Sequence, residues 1–188
     1  VNARLTEAEL ERIIAHSDPS TVVFCTQASD TAQTHSVEFS ATKVYGAFVE
    51  VAISKRASST PEPVFSAPSE QVAILLYTSG TTGAPKAAML THGNLIAAAH
   101  ASAKVRDMAA ADMCYLALPL SHIFGLVTFL AVCSAKAAMR LEAKFSVARL
   151  YDALQSNVTH LPAVPQMHAH LFHYVREQNK PRCNGGVL

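Results

Sequence analysis

Val72 to Leu95 reads VAILLYTSGTTGAPKAAMLTHGNL, and the order of residue types in it decides the fold. It opens with an apolar run, Val72 to Tyr77, of the length and β-rich composition of a buried strand. Thr78, Ser79, Gly80, Thr81, Thr82 and Gly83 follow, all hydroxyl or glycine, and then Ala84, Pro85 and Lys86. Glycine lets the backbone turn tightly and approach a ligand, and successive N–H groups can form an anion-binding nest. The hydroxyls of Thr78, Ser79, Thr81 and Thr82 add donors for phosphate oxygens. Lys86 adds a mobile point charge for a polyphosphate. By composition this is a phosphate-gripping loop after a strand. It is not a Walker loop, which requires G-x-x-x-x-G-K-[ST]. Counting from Gly80, the second glycine position holds Pro85, and Ala87 follows the lysine.

The run from Tyr77 to Lys86, YTSGTTGAPK, resembles the signature loop of the adenylate-forming, AMP-binding superfamily of acyl- and aryl-CoA ligases, luciferases and peptide-synthetase adenylation domains. The likeness continues through Met89-Leu90-Thr91-His92 and Asn94-Leu95, similar to that family's MLTHxNL. One departure is Ala87, where the family usually has glycine.

Working outward, 188 residues make one domain, or one and part of another. Half the residues are hydrophobic, 15% are charged and the net charge is +1, so a core is expected and general disorder is not. The near-neutral balance argues against a nucleic-acid partner, and no Lys/Arg run suggests an anionic membrane surface. Cys25, Cys114, Cys133 and Cys183 lie far apart and read as reduced thiols of a cytoplasmic protein. The opening VNARLTEAELER has no apolar signal core. It starts on valine, as an incomplete or processed N-terminus would. The longest apolar run, Ile123 to Cys133, is broken by Gly125 and Thr128 and is too short for a transmembrane segment.

Leu5 to Leu10 has the form of a helix start, with Thr6 capping, Glu9 reaching back to it and Leu5 stapling on Leu10. That helix ends near His16 to Pro19, and Thr21 to Thr26 reads as a strand. Thr31 to Ser54 is ambiguous, with a strand at Ala47 to Ile53. Residues 1–54 are expected to end a first α/β subdomain, and 55–70, with three prolines, to be a connector. Residues 71–178 form an α/β subdomain carrying the phosphate loop, and 179–188 a tail. Within it the spacing predicts strands at Val72–Tyr77, Met113–Leu118, Ala138–Leu141 and Val158–Pro162. Helices are expected at His92–Val105, with Thr91 or Asn94 as cap, and at Ile123–Ala135, Ser146–Gln155 and Pro165–Gln178. Such alternation implies an α/β fold with a mostly parallel sheet and flanking helices, whose ligands gather beyond the strands' carboxyl ends.

A second constellation, Leu118-Pro119-Leu120-Ser121-His122-Ile123-Phe124-Gly125-Leu126, leaves a strand and enters an apolar helix. His122 can line an acyl pocket walled by Phe124 and Gly125; equally, Ser121 can cap the helix and leave His122 merely exposed. LPLSHIFGL is similar to the PLFHIFGL-type segment of acyl- and aryl-CoA ligases, whose histidine lies beside the acyl substrate, and this favours the functional reading. An aromatic often stands there in place of Ser121. Val158 to Pro165 resembles a structural segment of the same family, with Gln166 where a second proline is usual. His168, His170 and His173 invite a metal reading, but on a helix His168 points roughly opposite His170, which argues against zinc. No G-x-S-x-G elbow supports a Ser-His-Asp triad.

The resemblance implies part of the large N-terminal domain of an adenylate-forming enzyme. The implied reaction activates a carboxylic acid, fatty or aryl, with Mg2+ and ATP as an acyl-adenylate, then passes it to coenzyme A. Thr78, Ser79, Gly80, Thr81, Thr82, Gly83 and Lys86 match the loop that holds the β- and γ-phosphates. Thr81 is the candidate magnesium contact, and Lys86 and His122 are the candidate catalytic residues. Family members are longer, with a YGxTE-type segment for adenine and magnesium, a TGD-type aspartate for ribose and a C-terminal domain bearing a second lysine. The remainder of the enzyme is therefore the implied partner, and this chain alone is expected to be inactive. The alternative is a non-catalytic remnant that binds polyphosphate or a partner.

Overall fold

Thr6 opens the first helix as its sequence anticipates. Its hydroxyl accepts from the Glu9 N–H at 3.4 Å, and Glu9 Oε2 accepts from the Thr6 N–H at 2.8 Å, which closes the capping box. The computed structural model describes residues 1–2, 4–56, 63–78 and 86–181. These residues fall into two units, Val1–Thr91 and His92–Leu188.

In the first unit, α1 (Glu7–Ser17) leads to β1 (Thr21–Phe24), α2 (Asp30–Glu38), β2 (Thr42–Tyr45) and β3 (Glu50–Lys55). β3 is the central strand, antiparallel to both β1 and β2. Leu10, Phe24 and Ala52 form the core, with Ile14, Val22, Phe39 and Ala41 packed around them. The ambiguous stretch after Thr31 thus holds a helix and two strands. The helix is set by Ser29, whose hydroxyl accepts from the Ala32 N–H at 3.3 Å, and not by an apolar stripe.

The unit is completed by a hairpin, β4 (Val72–Thr78) and β5 (Lys86–Thr91), paired antiparallel from Val72↔Thr91 to Thr78↔Lys86. This corrects the expected mostly parallel sheet. Ala87 to Leu90 is itself apolar and returns directly along β4, so the chain forms a hairpin before it reaches the expected helix at His92–Val105.

Among the described residues, parallel pairing is confined to the second unit. There α3 (His92–Val105) precedes β6 (Met113–Leu116), α4 (Ile123–Ser134), β7 (Ala138–Leu141), α5 (Val147–Leu154) and α6 (Pro165–Glu177). β6 and β7 run parallel, and a parallel bridge joins Cys114 to His160 on the other side of β6. The strand expected at Val158–Pro162 is reduced to that bridge. β6 is enclosed: Tyr115, Leu150, Tyr151, Ala153, Leu154, Val158 and Leu171 form one cluster. Leu116, Leu118 and Met167 form another. Among the described residues no helix is long and apolar enough to cross a membrane.

His35, buried on α2, ties that helix to the chain just before α1. Its Nδ1 lies 2.6 Å from Glu38 Oε2 and its Nε2 lies 2.9 Å from the Leu5 carbonyl. Both partners are acceptors, so both bonds exist together only when the ring is an imidazolium. The Glu38 hydrogen bond, above all, raises the pKa from its ordinary 6.5; burial opposes it, and the Leu5 carbonyl and the charges of Glu38 and Glu7 add to it. Because the folded pKa is raised, the stabilisation is fully present below 6.5 and is lost as pH climbs through the folded value. An NMR titration should therefore place the His35 midpoint above 6.5 and find it lowered in Glu38→Gln.

Candidate functional site

The base of the proposed phosphate loop is a strand pair. Thr78 is the last residue of β4, Lys86 is the first of β5, and they face each other in the register. The ladder thus brings the ends of 79–85 together and fixes the Lys86 backbone, while the residue itself is exposed. Ser79, Gly80, Thr81, Thr82 and Gly83 lie outside the described residues, and with them the proposed magnesium contact at Thr81. Ala87, the departure from the family's glycine, sits in the ladder opposite Tyr77. An extended strand position accepts a Cβ without strain.

One contact at this stem was not foreseen. The Tyr77 hydroxyl lies 2.7 Å from His16 Nδ1, with the two rings edge-to-face at 83° and 5.7 Å between centroids. The partners are 61 residues apart in the chain, and no local pattern joins them.

The second constellation follows the carboxyl end of β6. Leu118 is buried, the chain turns through the His122 N–H to the Pro119 carbonyl at 3.1 Å, and α4 begins at Ile123. The N-cap is His122 itself and not Ser121: its Nδ1 accepts from the Phe124 N–H at 3.4 Å. This capping bond selects the Nε2–H tautomer, so the exposed ring presents a donor outward. Phe124 packs against the Leu116, Leu118 and Met167 cluster. Gly125 is buried where the helix meets the preceding chain. A Cβ there would collide with the Pro119 carbonyl oxygen and lie 2.8 Å from its carbon and 3.1 Å from the Leu118 oxygen. A glycine at the third position of an otherwise apolar helix is the sequence signal of this close approach.

Other candidates resolve into structure. His173 pairs with Glu177 at 3.1 Å, and His170 lies against Phe145 with 6.3 Å between ring centroids. Among the described residues no group of three or more His, Cys, Asp or Glu side chains is placed to hold a metal ion. Burial pushes the Cys114 thiol up to about 11, so it is a core residue and not a nucleophile.

The sequence pattern described as "AMP-binding enzyme" matches residues 1–186. The chain belongs to the AMP-binding enzyme family. Among its relatives in this family is the sulfoacetate–CoA ligase of Cupriavidus necator, 36% identical over 118 residues, covering 62% of this chain and 22% of that one. The acyl-CoA ligase sidI of Beauveria bassiana is 35% identical over 131 residues, covering 68% and 23%. Among solved structures, o-succinylbenzoate coenzyme A synthetase (MenE) of Bacillus subtilis in complex with AMP is similar, with 35% identity and a TM-score of 0.52 over 56% of this chain and 22% of that one. Apo MatB of Rhodopseudomonas palustris gives 28% identity and a TM-score of 0.53, over 63% and 23%. The chain spans about a fifth of the length of these relatives.

In this member of the AMP-binding enzyme family, Gly125→Ala sets two effects against each other. Alanine favours a helix by about 1 kcal/mol over glycine. The collision, however, is with backbone, which cannot swing aside, and overpacking of this kind costs about 1–3 kcal/mol. Urea unfolding should find Gly125→Ala less stable than the parent; equal or greater stability would show that the 118–119 segment yields freely.

Proposed function

We propose that this chain supplies the triphosphate-gripping face of an ATP-dependent acid–CoA ligase. The observation that carries the reading is the Thr78↔Lys86 pair, which brings together the two ends of 79–85, a segment rich in glycine and hydroxyl residues, and sets a lysine at that root. The family resemblance supplies the reaction. A substrate carboxylate oxygen attacks the α-phosphorus of ATP, the bond to pyrophosphate breaks, and an acyl-adenylate forms. A thiol sulfur, that of coenzyme A, then attacks the acyl carbon and AMP leaves.

The residues of this chain have distinct tasks in that scheme. Negative charge gathers on the departing pyrophosphate, so donors fixed before the reaction stabilise it most. Thr78, Ser79, Gly80, Thr81, Thr82 and Gly83 would supply N–H and hydroxyl donors to the β- and γ-phosphates. Lys86 would supply the charge, its backbone held by the ladder and its ammonium able to follow the phosphate. Magnesium, arriving with ATP, would neutralise phosphate charge, with Thr81 as the candidate contact in this chain. His122 would sit beside the acyl group and offer the N–H that its capping bond leaves outward. The substrate class is a carboxylic acid, as the relatives' names span sulfoacetate, 2-succinylbenzoate and long-chain acyl ligases.

A second reading is binding of a polyphosphate at the same stem without catalysis, which the Thr78↔Lys86 pair serves equally well. ATP–pyrophosphate exchange with a panel of carboxylic acids separates the two. Exchange supports the ligase half-reaction in this chain; binding without exchange supports the second reading. Under both, Lys86→Ala should weaken binding of Mg·ATP by about ten-fold or more in calorimetry, the loss expected for one charged hydrogen bond. Unchanged affinity in Lys86→Ala would remove the lysine from the grip.

A further inference from the structure

We propose that His16 is a positioning residue for the phosphate loop, holding Tyr77 and, through it, the Thr78–Lys86 stem. The end of α1 is a rigid post. Asp18 closes the helix with its N–H on the Ile14 carbonyl at 2.9 Å, in the left-handed conformation at φ 38°. Arg56, immediately after β3, donates from Nη1 to that same Ile14 carbonyl at 3.2 Å and pairs with Asp18 at 3.5 Å. Its N–H also donates to the Ser20 carbonyl at 2.9 Å. His16, two residues from both Ile14 and Asp18, is thereby tied to the end of the central strand of the first unit.

Tyr77 needs such a post. Tyr77 lines an open surface pocket with Leu10, Ile13, Ile14, Val22 and Leu75. The polar contact that fixes it is the 2.7 Å hydrogen bond to His16, reinforced by the edge-to-face ring geometry. Tyr77 is the residue before Thr78 and pairs with Ala87, the residue after Lys86. A shift of Tyr77 therefore reaches both ends of 79–85 at once. What the loop grips rests on the proposed function; that His16 holds the stem does not.

Amide hydrogen exchange on the full chain tests this directly. His16→Ala and Tyr77→Phe should each speed exchange at the Thr78 and Lys86 amides by about five-fold, the weight of one hydrogen bond, and the double variant should add little more. Exchange in the β1–β3 ladder should stay as in the parent, which a general loss of stability would not allow. His16→Gln, able to keep a hydrogen bond to the hydroxyl, should restore part of the protection. Unchanged stem exchange, equal acceleration in the β1–β3 ladder, or additive effects in the double variant would overturn the proposal. Affinity for magnesium tripolyphosphate, measured alongside, should fall by a similar factor in both single variants. If the parent binds no tripolyphosphate, the proposed function fails, while the exchange data still decide the role of His16.

Discussion

The pairing of Thr78 with Lys86 is the constraint on which the rest of the account depends. Any chain segment that closes around a ligand pays ordering entropy. Joining its two ends in an antiparallel ladder removes much of that cost before any ligand arrives. The ladder runs from Val72↔Thr91 to this pair, with one irregularity between Val72 and Ile74, so the stem is anchored along its length. The departure from a mostly parallel sheet is thus what gives the lysine its place.

The second unit solves a different problem with the opposite pairing. Its parallel strands set β6 between β7 and the His160 segment, and β6 is buried from Cys114 through Leu116. The chain leaving that strand must turn at once into α4. It does so by capping with His122 and by bringing Gly125 against the Pro119 carbonyl. One histidine thus ends the loop, starts the helix and offers an exposed N–H at the carboxyl end of a parallel strand, where α/β sheets gather their ligands.

Much of this was legible in the sequence where local chemistry decides structure. The helix expected at His92–Val105 and the strand expected at Ala138–Leu141 have those bounds, and Thr6 with Glu9 makes the expected box. The failures share a cause. β5 reads Lys-Ala-Ala-Met-Leu-Thr, and alanine is a poor strand signal, so only its partner β4 reveals it. α2, Asp-Thr-Ala-Gln-Thr-His-Ser-Val-Glu, has no apolar stripe and is held by its cap and by His35. At the candidate site, the order of residues around Lys86 and His122 was readable because the residues are consecutive. The His16–Tyr77 contact was not, because only the folded first unit brings them together.

We propose that the segment between Thr78 and Lys86 of this AMP-binding family member holds a polyphosphate, its two ends joined by the β4–β5 ladder. Amide NMR spectra of the chain titrated with magnesium tripolyphosphate address it most directly. The account predicts saturable shifts at the amides from Thr78 to Lys86 and no comparable change along β1, β2 and β3. Shifts absent from that segment, or spread evenly over the chain's basic residues, would contradict it.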